Sequence, residues 1–326
     1  MRILVTGATG FVGGRLLERL VESGSHELHS LQRYVTGREE PAIGQNVTTD
    51  TRVAVCDLRD QAAVKSAVRE IQPEVVVHLA SISPVSYSYD HPNEVMDVNL
   101  SGTINLAESC RQEIPQLKHF LFASTSETYG NGPLPKREDT PQSPNSPYSV
   151  SKLAAEKYLL YMWKACKFPV TVLRAFNTYG RRDSSDYLVE RMIVQMLRGD
   201  VVCLGDPTPA RDLLYIDDHV DAYVACLSNP RASIGEVFNF CTGEKLTVRS
   251  LAEKLRDMTG FRGEILWNTI PPRPLDIQVM YGDPGNAKSA LGWEPKTKLE
   301  VGLSRTIEFW RKRIAGSERG ARVRTP

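Results

Sequence analysis

The opening of the chain constrains its fold more than any other stretch. Arg2-Ile3-Leu4-Val5 is a short apolar run that ends in Thr6-Gly7-Ala8-Thr9-Gly10-Phe11-Val12-Gly13. A helical pattern follows, with Leu16, Leu17, Leu20 and Val21 on one face. This is strand, glycine turn, helix. Gly7 allows the tight turn, Gly10 lets backbone approach a pyrophosphate, and Gly13 lets the helix pack close to the strand. The helix N-terminus offers free N–H groups and the positive end of its dipole to phosphate. Gly7, Thr9, Gly10, Phe11 and Val12 are therefore candidate cofactor-binding residues. A plain strand-to-helix turn is the competing explanation.

Further strand-like runs follow at regular distances. The second, Glu27 to Gln32, ends Leu31-Gln32-Arg33-Tyr34, with no carboxylate for the ribose hydroxyls of NAD. Arg33 is placed to pair with a 2′-phosphate, which points to NADP; the alternative is a solvated Arg33 and NAD held through Gln32. The third, Arg52 to Cys56, ends in Asp57-Leu58, where Asp57 either reaches an adenine amino group or caps the helix starting near Gln61. The fourth, Pro73 to His78, leads to Leu79-Ala80-Ser81, with Ser83, Ser86 and Ser88 in the loop beyond. His78 reads as a core residue. A helix over 93–108 carries Asn99, which is expected to bond a bent helix backbone or a water. The fifth, Phe120 to Ala123, leads to Ser124-Thr125-Ser126-Glu127, and a sixth spans Pro169 to Leu173. Strands alternating with helices imply an α/β fold with a doubly wound parallel Rossmann sheet. In such sheets ligands bind outside the carboxyl ends of the strands. The glycine turn, Arg33, Asp57, Leu58, Leu79, Ala80, Ser81 and Thr125-Ser126-Glu127 all fall at those ends.

Tyr148 lies four residues before Lys152, one helical turn away on the same face. An ammonium beside a phenol favours the phenolate, which makes the tyrosine a general base if a hydride acceptor is near. The spacing alone is common by chance; its company at the sheet edge gives it weight.

Composition narrows the classes of function. Charged residues make up 24% and apolar ones 41% of the 326 residues, and the net charge is +1, so neither nucleic acid nor an acidic surface is implied as partner. The six cysteines form no Cys-x-x-Cys pair and mostly sit in apolar stretches, which predicts reduced, buried thiols and a cytoplasmic protein. No leader precedes the first strand-like run and no apolar stretch approaches a membrane span, so no membrane partner is expected. No metal-ligand motif is present.

Read together, several motifs resemble the extended short-chain dehydrogenase/reductases, in their nucleotide-sugar epimerase/dehydratase branch, over residues 1 to 312. They are Ala123-Ser-Thr-Ser-Glu-Thr-Tyr-Gly130, Ser146-Pro-Tyr148-Ser-Val-Ser-Lys152, Arg174-Ala-Phe-Asn177-Thr-Tyr-Gly180 and Ala210-Arg211-Asp-Leu-Leu-Tyr-Ile-Asp217-Asp218. The resemblance is greatest to members like GDP-mannose 4,6-dehydratase, because Thr-Ser-Glu is shared and the carboxylate after strand two is missing. UDP-glucuronate decarboxylases share Thr-Ser-Glu, and simple 4-epimerases usually lack the acid. It implies a homodimer or homotetramer built on the helices around 93–112 and 149–166. It also implies a nucleotide-diphosphate sugar bound by Ser83, Ser88, Asn177, Arg191, Arg211 and Arg273, with NADP, alternatively NAD, held by the residues above together with Asn99, Tyr148 and Lys152.

The catalytic set implied is Thr125, Ser126, Glu127, Tyr148 and Lys152. Tyr148 removes the C4 hydroxyl proton as hydride leaves C4, and Thr125 bonds the C4 oxygen. Glu127 takes the C5 proton, and Ser126 or Glu127 protonates the departing C6 hydroxyl. A rival, non-enzymatic reading is an NADP-sensing binding protein. The nucleotide domain is expected over 1–173, with later strands near 211–241 returning to it. A smaller substrate-binding domain is expected over 174–315, including a polar loop at 181–186, and a disordered tail over 316–326.

Overall fold

A computed structural model describes residues 1–24, 26–33, 51–180, 184–185 and 187–323, with side chains as far as 316. Tyr34 and most of the polar loop expected at 181–186 lie outside the described residues. The core is one parallel sheet of seven strands: β1 (Arg2–Thr6), β2 (Glu27–Gln32), β3 (Thr51–Val55), β4 (Val75–His78), β5 (His119–Thr125), β6 (Val170–Ala175) and the strand Val237–Phe240. Their order across the sheet is 237–240, β6, β5, β4, β1, β2, β3. The chain therefore winds one way from β1 to β3 and the other from β4 onward. The crevice where such a sheet binds ligands opens between the carboxyl ends of β1 and β4.

Both faces of the central strands are covered, which is why β1, β4, β5 and β6 read as nearly unbroken apolar runs. Alternate residues serve opposite layers: Ile3, Val5, Val75 and Val77 pack on one side, Leu4 and Val76 on the other. Around the sheet run α1 (Phe11–Glu22), α2 (Gln61–Ile71), α3 (Val85–Asp90), α4 (Pro92–Met96), α5 (Gly102–Glu113) and α6 (Pro147–Cys166). Ser146 starts α6 with a reciprocal cap: its hydroxyl accepts from Ser149 N, and Ser149 Oγ accepts from Ser146 N.

Two local features differ from the expectation. The single helix over 93–108 is α4 and α5 joined by one π-helical stretch, Asp97–Ser101, with Asn99 at its centre. The serine loop after β4 contains α3, whose short Ser- and Tyr-rich sequence gives little periodic signal. His78 is a core residue as expected. It bonds Thr6 Oγ1 (2.7 Å) and Thr103 Oγ1 (2.9 Å), and burial holds its pKa at about 3, so it stays neutral.

Beyond β6 the chain makes small sheets. Asn177–Tyr179 pairs with Leu213–Tyr215, Val201–Cys203 with Glu264–Leu266, and Ala210–Arg211 lies between Leu246–Thr247 and Val279–Met280. Thus 237–240 returns to the large sheet, while the strands at 210–215 remain in the small ones. Helices α7 (Leu188–Arg198) and α8 (Ile216–Ser228), with Pro230–Ser233, Val248–Thr259, Gly285–Leu291 and Leu299–Val323, complete this half. The backbone of the last helix runs through Val323, into the stretch expected as a tail, where Glu318, Arg319, Ala321 and Arg322 are good helix formers. The thiols also differ in part, because Cys166 and Cys203 are exposed while the other four are buried. Among the described residues no helix is long and apolar enough to cross a membrane, and no cluster of three metal-ligating side chains occurs.

Candidate active site

The glycine turn sits in the crevice. Gly7 adopts φ +71°, and a Cβ there would come within 2.7 Å of Ala80 N at the end of β4. A Cβ on Gly13 would stand 2.2 Å from Gly7 O. Thr6 stitches the two strand ends together, accepting from Leu79 N at its carbonyl (3.2 Å) and from Ala80 N at its hydroxyl (3.1 Å). Gly10 starts α1 with no side-chain cap, and no acidic residue lies in the first turn. Thr9 and Gly10 are exposed, with Phe11 and Val12 half-buried beside them. These features fit a dinucleotide: side chains are excluded where a pyrophosphate would approach, and no side chain caps the helix N-terminus that would face it.

At the neighbouring strand ends, Arg33 is exposed, with Glu94 Oε1 at 3.9 Å. Asp57 is gripped by Arg59 through bonds of 2.6 to 3.1 Å, so its carboxylate pKa is lowered chiefly by that guanidinium. Asp60 caps α2, which leaves Asp57 out of that role. Leu58 packs under Gly102. Arg59 was not singled out in the sequence, since an arginine four residues after a strand carries no pattern of its own.

Asn99 is fully buried and spends its amide on structure. It accepts from Ile82 N (2.8 Å) and donates to Ile82 O (3.1 Å) and Ser151 Oγ (3.0 Å). It fixes Ser81 and its neighbours against α6. The π turn supplies the extra rotation that aims Asn99 at that loop.

Tyr148 and Lys152 stand one turn apart on the buried face of α6. Lys152 is 2% exposed, and its Nζ lies 4.4 Å from the centroid of the Phe122 ring. Burial pulls its pKa down to about 7, and Glu156, one turn further on, works against that fall. β5 ends at Thr125, whose Oγ1 accepts from Glu127 N (3.2 Å) and so keeps its own hydrogen for another partner. Ser126 is buried at the start of the 3-10 turn Ser126–Tyr129. Glu127 Oε2 is out of solvent and has no hydrogen-bond partner among the described residues. Burial raises the Glu127 pKa, opposed by the charges of Arg273 and then Arg211.

Those two arginines converge on one carboxylate. Arg273 Nη2 donates to Asp276 Oδ1 (2.8 Å), and Arg211 Nη2 lies 3.7 Å from the same oxygen. Arg211 is 8% exposed, and burial lowers its pKa. The loop carrying Arg273 is pinned by Tyr89, which donates to Pro274 O (3.0 Å), and by Asn145 Nδ2, which donates to Leu275 O (2.9 Å). Ser83 Oγ is 3.2 Å from the hydroxyl of Tyr187, at the start of α7. Arg191 and Asn177 are half-buried nearby in sequence, on α7 and on the strand paired with Leu213–Tyr215. Ser88 does not join this group: it is fully buried and donates to Val85 O (2.6 Å), closing a turn of α3.

Residues 4–306 match the family model described as GDP-mannose 4,6 dehydratase. The chain belongs to the nucleotide-sugar epimerase and dehydratase family of extended short-chain dehydrogenases/reductases. Among members of this family, it is 32% identical to the UDP-glucose 4-epimerase of Mycolicibacterium smegmatis, with 96% of this chain and 99% of that protein covered. The structure of UDP-glucose 4-epimerase from Thermotoga maritima, with UDP-glucose, superposes with a TM-score of 0.88 at 31% identity, covering 96% and 100% of the two chains. That of UDP-glucose 4-epimerase from Thermus thermophilus, in complex with NAD, gives 0.84 at 32% identity, covering 95% and 99%. These likenesses span both halves of the chain, so the family's nucleotide-sugar chemistry is the frame for the site.

Proposed function

We propose that the protein is a nucleotide-sugar 4,6-dehydratase of the GDP-mannose or another nucleoside-diphosphate-hexose type, working with bound NADP(H). The observation that carries this reading is Glu127. Its buried, partnerless oxygen follows directly on the hydroxyl that would hold the C4 oxygen. A 4,6-dehydration needs a second proton carrier besides the phenol, because one group cannot serve both the C4 oxygen and the C5–C6 bond.

In this reading Tyr148, beside the Lys152 ammonium, takes the C4 hydroxyl proton while Thr125 donates a hydrogen bond to that oxygen. The nicotinamide, when bound, takes up hydride and gives it back within one turnover. The resulting 4-ketone acidifies C5. Glu127, ionised, removes the C5 proton and returns it to the C6 hydroxyl as water leaves, with Ser126 beside it; as C6 is then reduced, Glu127 passes a solvent proton to C5, giving a 4-keto-6-deoxy sugar. A carboxyl with a raised pKa suits both halves of that transfer. Arg211 and Arg273 supply the guanidinium forks for the diphosphate. The choice of NADP rests on Arg33, joined by Arg59, both exposed cations at the ends of β2 and β3. Two copies would pair through α5 and α6, where Val150 and Tyr161 are exposed.

The relatives favour a second reading, a 4-epimerase, in which the same phenol acts and Glu127 is a bystander. A UDP-glucuronate decarboxylase would again start at C4. Incubation of the protein with GDP-mannose, dTDP-glucose, UDP-GlcNAc and UDP-glucuronate, with products weighed, separates them. Loss of water supports the dehydratase; a new sugar of unchanged mass or loss of CO₂ overturns it.

A further inference from the structure

The side chain that joins the two halves of the site is Glu156, on the same face of α6 as Tyr148 and Lys152. It is wholly buried, as is its partner Arg174 on β6. The pair is two-pronged: Arg174 Nη2 to Glu156 Oε1 at 2.5 Å and Nε to Oε2 at 3.1 Å. Ser124 Oγ, immediately before Thr125, donates to Glu156 Oε2 (2.8 Å), and Gln142 Nε2 donates to Oε1 (3.2 Å). Arg174 continues through Nη1 to the Tyr129 hydroxyl (2.6 Å) and Glu138 O (3.0 Å), and Tyr129 donates to Asn239 Oδ1 (2.7 Å). The two ends of the segment 124–129, which contains Thr125, Ser126 and Glu127, are thus held by one ion pair anchored on the helix of Tyr148 and Lys152.

We infer that Glu156 is a positioning residue: through Arg174 and Ser124 it locks the strand-end segment 124–129 to α6, and its charge, one helical turn from Lys152, favours the ammonium form of that buried side chain. This rests on Lys152 as the partner of Tyr148 in the reading above. The surroundings leave Glu156 as the source of that charge. Of the other groups around this pair, His78 from β4 is neutral when buried, and Arg174 from β6 is a cation held on Glu156 itself, which moderates but does not reverse the pull of the carboxylate on Lys152. Phe122 on β5 offers its ring face. Burial opposes the ammonium and Glu156 favours it. An opposite charge this near shifts a pKa by about one to three units.

The test is the variant E156Q, which removes the carboxylate charge alone and keeps a side chain able to accept from Arg174. Protein carrying lysine labelled with ¹³C at Cε is titrated by NMR, with the Lys152 signal assigned by its absence in K152R. The expected result is a Lys152 titration lowered by about one to three units, while R174K leaves it in place. The alkaline limb of turnover on any nucleotide sugar moves with it. Should E156Q fail to fold, E156D, which draws the carboxylate back by one methylene, is titrated and a smaller fall in the same direction is required. An unmoved Lys152 titration overturns the proposal, even if stability falls, since a merely structural pair would lower stability alone. A shifted titration in a protein that turns over no nucleotide sugar would sink the proposed function and leave this inference standing.

Discussion

Replacing Lys152 by methionine should make the protein more stable and inactive at once. The wild-type ammonium is 2% exposed, and its pKa falls from 10.5 to about 7. Between those two values the unfolded chain binds a proton that the folded chain rejects, so stability rises with pH across that window. The difference, 10.5 − 7, is 3.5 units, which at about 1.36 kcal/mol per unit is roughly 5 kcal/mol below pH 7. The contact of Nζ with the Phe122 ring, 4.4 Å from its centroid, offsets about 1 kcal/mol of that. Methionine has similar length, no charge and a tolerant shape in cores. The variant should therefore gain about 3–4 kcal/mol at pH 7 and lose the rise between pH 7 and 10 that the wild type shows. Urea unfolding at fixed protein concentration, without added cofactor, measures both. A K152M protein no more stable than wild type, together with a flat wild-type curve from pH 7 to 10, would refute the reasoning.

Three other perturbations follow from the same geometry. E127Q should slow water loss about a hundred- to ten-thousand-fold while leaving oxidation at C4 intact, read as accumulation of reduced nicotinamide at 340 nm; unchanged water loss would rule Glu127 out. G7A combines a left-handed backbone, costing an alanine roughly 1–2 kcal/mol, with a Cβ 2.7 Å from Ala80 N, so it should lower the melting temperature and weaken dinucleotide binding in calorimetry. Replacing Arg33 and Arg59 together by alanine should weaken NADP binding at least tenfold, roughly 1.4 kcal/mol, and leave NAD binding nearly unchanged.

The sheet was legible because its central strands are buried on both faces and so announce themselves as apolar runs. The valines of β4, Val75 to Val77, were readable for that reason. The glycine turn was legible because its three glycines meet steric demands that other residues cannot meet. What the sequence hid was either short or paired at long range. The π turn at Asp97–Ser101 leaves the helical pattern on both sides intact, and α3 is too short to show a period. Glu156 on a helix reads as a surface carboxylate; only folding brings it against Arg174, eighteen positions away on β6. The bond from Ser88 Oγ to Val85 O was hidden too, since it closes a turn of a helix that the sequence had not revealed.

The account turns on Glu127 as the carrier of the C5 proton, and solvent exchange at C5 tests that directly. The nucleotide sugar that the protein consumes is converted in D₂O and the product examined by NMR and mass spectrometry. The account predicts a product that has lost water and carries one deuterium at C5. A product of unchanged composition with protium at C5 would contradict it.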